Sequence, residues 1–305
     1  MTARRGLRLP AAVMRLGVRQ LGGRCLDPAL PWPVQRARLD RLARASPLPR
    51  GTTIARQAIA GVPAEVVSGR APAARRTVLH FHGGGYCVGS ARTARGWAAQ
   101  LSARAACRVV LPEYRLAPEH PYPAALEDAR AVVTALCGDA GPRSLVVSGD
   151  SAGGGLALAV LLQLRDAGRP LPAGCMLLSP WLDLARDRRA VPHLVRRDVV
   201  LSPGWLDACA RAYAGSSARA GRLVSPLRAG HCGLPPLLIQ AGTDDLLAPD
   251  AELLAASASA AGVDATYTRW PRMWHDFALQ PGLLAAADSA LAQAAWFVSA
   301  VTSGS

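Results

Sequence analysis

The run Val146-Val147-Ser148-Gly149-Asp150-Ser151-Ala152-Gly153-Gly154 decides how this chain is read. An apolar strand-like segment, Ser144 to Ser148, meets Gly-Asp-Ser-Ala-Gly and passes into the Ala- and Leu-rich Gly155 to Leu164, which predicts a helix. Glycines on both sides of a serine at a strand-to-helix junction permit a turn too tight for a Cβ at either flank. The serine is then expected to be strained, with its hydroxyl exposed at the C-terminal edge of a sheet. The amide of Ala152, at the helix start, would point to where an oxyanion could form.

Working outward, Val78-Leu79-His80-Phe81-His82-Gly83-Gly84-Gly85-Tyr86 is a second apolar strand running into glycines, about seventy residues upstream. Three consecutive glycines leave backbone amides unshielded, so that they can approach a substrate oxygen. Acyl transfer needs both an activated nucleophile and donors for a tetrahedral oxyanion, and the two runs together offer both.

Downstream, Pro236 to Gly242 reads as a third strand and opens into Thr243-Asp244-Asp245. A helical Asp250 to Ala261, an extended Ala265 to Trp270 and then Met273-Trp274-His275-Asp276-Phe277 follow. The chain order Ser, acid, His marks Asp244 as the acid and His275 as the base. Asp245 and Asp276 are the competing carboxylates: Asp245 would point away along the strand direction, and Asp276 adjoins the base too closely to orient its ring. His80 reads as a buried, hydrogen-bonded core residue and His82 as a brace for the glycine loop. His120, His193 and His231 fall in turns or loops, and no His or Cys pair has metal-ligand spacing.

These motifs identify a resemblance to the hormone-sensitive-lipase-like HGGG esterases of the α/β-hydrolase superfamily. It rests on His82-Gly83-Gly84-Gly85, on Tyr114 to Ala125, on Gly149 to Gly154, on Leu178-Ser179-Pro180-Trp181-Leu182-Asp183, on Gly233 to Pro236 and on Trp274 to Phe277. The resemblance implies a mostly parallel sheet flanked by helices, with a helical cap. It implies Ser151 as nucleophile, His275 as base and Asp244 as orienting acid. The oxyanion hole is placed at Gly84 and Gly85, with Ala152 completing it and Gly83 shaping the turn. Tyr86-Cys87 departs from the commoner Phe or Trp and aliphatic pair, and is expected to alter the acyl-pocket wall. The implied activity is a serine carboxylesterase for short- to medium-chain acyl esters that needs no cofactor and no metal. An amide deacetylase or lactone hydrolase shares the chemistry. A non-catalytic ligand-binding protein on this fold would typically lack the histidine that His275 supplies.

Composition sets the bounds. The 305 residues are half hydrophobic, enough for one α/β core with added helices. All 35 basic residues are Arg, and neither Lys nor Asn occurs, as in a GC-rich, actinobacterial-like genome. Residues 1–50 hold 11 Arg against Asp27 and Asp40, a net +9 of the total +14. That head reads as a solvated helix face, with weak contact to an anionic membrane surface as the alternative. No recognition motif accompanies the arginines, which argues against nucleic acid. The uncharged stretch Leu9 to Met14 is too short for a secretory core, no run approaches a membrane span, and seven scattered Cys fit reduced thiols. A cytoplasmic protein is expected, and a homodimer is left open.

Residues 1–50 predict two cap helices, Ala11 to Leu21 and Trp32 to Ala45; the core is expected over 51–183 and 226–305. Thr52 to Ser68 reads as two extended segments turning at Gly61-Val62-Pro63. Strand and helix alternation breaks over 184–225, read as a cap insertion with an irregular, charged Arg186 to Arg197 and a helix Leu201 to Ala214 begun by Ser202-Pro203. The N-terminal helices and this insertion are expected to pack over Ser151. Thr302 to Ser305 reads as a frayed tail.

Overall fold

The computed structural model describes residues 8–69, 76–215 and 219–302, so the first seven residues and the tail beyond Thr302 lie outside it. Among the described residues the strands are β1 (Thr53–Ile59), β2 (Val62–Ser68), β3 (Thr77–Phe81), β4 (Arg108–Pro112), β5 (Leu145–Asp150), β6 (Gly174–Leu178), β7 (Leu237–Gly242) and β8 (Ala265–Trp270). They form one sheet in the order β1-β2-β4-β3-β5-β6-β7-β8. β1 and β2 pair antiparallel, β2 joins β4 antiparallel, and every other pairing is parallel. The first turn sits at Ala60-Gly61, both with positive φ, so Val62 and Pro63 already belong to β2.

Helices are α1 (Ala11–Cys25), α2 (Trp32–Ala43), α3 (Ala91–Ala105), α4 (Ala124–Ala140), α5 (Ala152–Asp166), α6 (Pro192–Arg197), α7 (Pro203–Ala214), α8 (Ala248–Ala260) and α9 (Ala285–Thr302). The central strands are buried along their whole length, because helices cover both faces and alternate residues enter different cores. Val78, Val146, Met176 and Leu238 pack with Trp97 of α3 and Val298 of α9. Their successors Leu79, Val147, Leu177 and Ile239 pack with Val132 of α4, Leu158 of α5 and Leu254 of α8. This explains why the strands read as continuous apolar runs rather than alternating ones.

Residues 186–197 are more ordered than expected. Arg188 is buried, and its guanidinium donates to Asp250 Oδ1 and Oδ2 at 2.9 and 2.7 Å. Asp250 also accepts the amides of Leu182 and Asp183, each at 3.0 Å. A buried carboxylate with this many donors pins the root of the insertion, and α6 follows. α7 begins as read from sequence: Ser202 Oγ accepts the Trp205 amide at 3.2 Å and Pro203 occupies the first turn.

Candidate active site

β5 delivers Ser151 at the sheet's C-terminal edge with φ 51 and ψ −119, a conformation a non-glycine residue adopts only under constraint. The constraints are visible. Ser151 N donates to Leu178 O at 2.9 Å, and Ser151 O accepts from Trp181 N at 2.8 Å. A Cβ on Gly149 would lie 2.2 Å from the Gly153 carbonyl, and one on Gly153 would lie 2.0 Å from Phe81 O. Neighbouring elements therefore close on the turn from both sides, and only glycine fits at its flanks.

The glycine loop folds directly against this elbow. A Cβ on Gly83 would stand 2.2 Å from Asp150 Oδ2 and 3.1 Å from Ser151 Cβ. Beneath the loop, His80 bridges Ser148 Oγ at 3.1 Å and Asp150 Oδ1 at 2.9 Å, as a core histidine should. His82 is buried and stacked on Tyr114, and its Nδ1 meets Gly83 O at 2.8 Å. Burial pushes His82 down to about 4, so it stays neutral and serves as a brace. The amides of Gly83, Gly84, Gly85 and Ala152 donate to no protein acceptor among the described residues. Gly83 and Gly84 line the cavity that holds Ser151, whereas Gly85 backs onto Cys209 and Trp205 of α7. Gly83→Ala should lower kcat by about a hundredfold or more, because its Cβ would displace the loop from Ser151. Ester hydrolysis rates with a melting curve check this, the melting curve separating local from global damage.

The expected wall role of Tyr86 and Cys87 is corrected. Neither faces the cavity. Tyr86 stacks on Tyr213 of α7 with ring centroids 3.8 Å apart, and its hydroxyl abuts α5 at Gly155. The positions after the glycines fasten the loop to the insertion instead.

The carboxylate beside His275 differs from the sequence expectation. It is Asp245, not Asp244: Asp245 Oδ1 is 3.1 Å from His275 Nδ1 and also accepts the Leu247 amide at 2.8 Å. Strand geometry ends at Gly242, where Asp245 N turns back to Gly242 O. Side-chain alternation thus stops before either carboxylate, and the turn rotates Asp245 inward to complete burial. Asp244, also buried, pairs instead with Arg15 of α1 at 2.9 Å. Asp276 does touch the ring, but at the opposite nitrogen: its Oδ2 lies 3.1 Å from His275 Nε2. Among the described residues no hydrogen bond joins Ser151 Oγ to His275, although both line the same cavity.

That cavity has a volume of about 170 Å³. Its walls come from Leu26 and Leu39 of the N-terminal segment, Val200, Leu201 and Trp205 of the insertion, and Leu279. Two hydrogen bonds join the N-terminal segment to the insertion among the described residues. Trp205 Nε1 donates to Gln35 Oε1 at 2.8 Å. Arg15 donates to the carbonyls of Arg197 and Arg272 and lies 5.9 Å from the Trp274 ring. Sequence reasoning missed Arg15 because one arginine among 35 carries no signal. It also missed Asp198, whose Oδ2 accepts the Leu246 amide at 2.8 Å and so ties the insertion to the acid loop. Of the remaining histidines, His231 is held by Ser257 Oγ at 2.7 Å and Pro226 O at 3.1 Å, away from the cavity. Among the described residues no cluster could hold a metal, and no helix is long and apolar enough to cross a membrane.

A family described by its α/β-hydrolase fold matches residues 78–279. The chain belongs to that family. Within it, an esterase of the bacterial hormone-sensitive lipase family superposes with a TM-score of 0.90 at 32% identity, covering 96% of this chain and 100% of that one. An acetyl-hydrolase from Streptomyces hygroscopicus is 41% identical over 201 residues, 66% of this chain and 67% of its own. An esterase from Acinetobacter venetianus is 33% identical over 265 residues, 86% of this chain and 87% of its own. This α/β-hydrolase is thus of the hormone-sensitive-lipase-like branch, and its enzyme class is serine carboxylic ester hydrolase.

Proposed function

We propose that this hydrolase cleaves short-chain acyl esters through Ser151, His275 and Asp245. One observation carries the reading: His275, held by Asp245, lines one cavity with Ser151 and with glycine-loop residues whose amides have no protein acceptor among the described residues. In this reading Ser151 Oγ attacks the carbonyl carbon as its proton passes to His275 Nε2. Asp245 fixes the tautomer at Nδ1 and stabilises the imidazolium. The oxyanion rests on the amides of the loop and of Ala152. His275 then protonates the leaving alcohol and activates the water that releases the acid.

Residues 1–50 and 184–225 act in this proposal as a cap that sets the acyl limit. The apolar side chains of Leu26, Leu39, Val200, Leu201 and Leu279 line a small cavity of about 170 Å³ beside Ser151, which suits a short acyl chain. Acetate to butanoate should therefore be the best p-nitrophenyl esters, with kcat/KM falling by roughly tenfold or more at octanoate as packing becomes strained. A rate that climbs steadily to long chains would overturn the short-acyl reading. Relatives named acetyl-hydrolase and esterase support it.

A further inference from the structure

The triad chemistry leaves one titratable group on the cavity wall without a task. Asp276 lines the cavity beside Ser151 and His275, and its Oδ2 stands 3.1 Å from His275 Nε2. That nitrogen is the one a serine hydroxyl must reach. The contact follows from the backbone: Asp276 has φ 56 and ψ 26, a left-handed conformation that turns its side chain back on the preceding residue. The conformation is held in place, since Asp276 N donates to Ser179 Oγ at 3.1 Å. The other carboxyl oxygen, Oδ1, is buried without a hydrogen-bond partner among the described residues.

We propose that Asp276 is a positioning residue that holds the His275 ring through Nε2 in the resting enzyme and must yield that nitrogen to Ser151 before acylation. The proposal rests on the serine–histidine reading above, and its test below separates the two.

The surroundings decide the direction of its effect. Asp245 faces His275 at Nδ1 from the acid loop. Asp198 of the insertion lies close enough to act on both Asp245 and His275, and Asp150 of the elbow acts on Asp276. Arg15 and Arg197 are engaged with Asp244. Burial opposes charge on His275, but the carboxylates of Asp276 and Asp245 outweigh it and hold the imidazole well above its usual range. Burial likewise pushes the Asp276 carboxyl up to about 7, with Asp150 adding to the rise and His275 opposing it.

Charge therefore governs release. While His275 is protonated, Nε2–H donates to the Asp276 carboxylate in a charge-assisted bond. When that proton leaves for solvent, the Nε2 lone pair faces an anion, the contact turns repulsive, and Asp276 gives way to the serine hydroxyl. Activity should rise with pH and reach its midpoint above the usual imidazole range. Removing the Asp276 charge should move that midpoint down by about one pH unit or more. At pH values below both midpoints, a variant whose midpoint lies one pH unit lower should run about tenfold faster than the parent.

The experiment is the pH profile of kcat/KM for p-nitrophenyl acetate in the parent, Asp276→Asn, Asp276→Ser, Asp276→Glu and Asp198→Asn enzymes. Both neutral replacements of Asp276 should lower the midpoint. Asp276→Glu, which keeps the charge, should restore most of it. Asp198→Asn, whose group does not touch the ring, should move it less. Histidine titration by nitrogen NMR in Ser151→Ala, with and without Asp276→Asn, should show the same downward move without relying on turnover. A His275 midpoint unchanged within about 0.2 pH unit in that pair would overturn the proposal; if Asp276→Asn fails to fold, the same comparison made with Asp276→Ser decides it. Retained activity in Ser151→Ala would instead sink the serine reading and leave the NMR result standing.

Discussion

Ser151→Ala is expected to lower turnover by about a million-fold, the cost of removing the nucleophile from a comparable triad. Stability should hold or improve slightly. The change deletes one oxygen from a residue whose backbone is fixed by bonds to Leu178 and Trp181, not by its hydroxyl. The melting temperature and ester turnover should be measured on the same preparation. Activity above about a hundredth of the parent would mean that another group attacks the carbonyl, since no triad mechanism survives without its serine to that extent.

The second large effect separates two adjacent carboxylates. Asp245→Asn should cost roughly ten-thousand-fold, because an amide presents the wrong partner to Nδ1 and favours the wrong tautomer. Asp244→Asn should cost less than about tenfold. It loosens the ion pair with Arg15 but leaves the Asp245–His275 contact in place. If the Asp244 variant proved the inactive one, the carboxylate that orients His275 during turnover would differ from the one seen beside it in the structure.

This pair also marks where the sequence stopped being legible. Strands β3 to β7 were readable because helices on both faces demand an apolar residue at nearly every position. The serine elbow and glycine loop were readable because their backbone paths exclude a Cβ, which leaves glycine as the signature. Asp244 against Asp245 was not, since strand alternation ends at Gly242 and a turn then decides which carboxylate lies beside His275. Asp276 reaches Nε2 through a left-handed backbone that nothing in Trp-His-Asp-Phe announces. The order around Arg188 was hidden for a different reason. A run of arginines reads as solvated until a buried carboxylate 62 residues away, Asp250, is brought against it.

The cavity draws on two sources that evolution can treat separately. The groups proposed to react stand on loops of the sheet, while Leu26, Leu39, Val200 and Leu201 belong to segments outside it. On the proposed reading, substitutions at those four positions should retune which acid is released without disturbing the machinery, so libraries aimed at new substrates should concentrate there. Arg15 is the exception. One guanidinium touches the acid loop, the histidine loop and the insertion at once. Variation at that position would make selectivity and rate drift together, and N-terminal fusions that pull on α1 would carry the same liability.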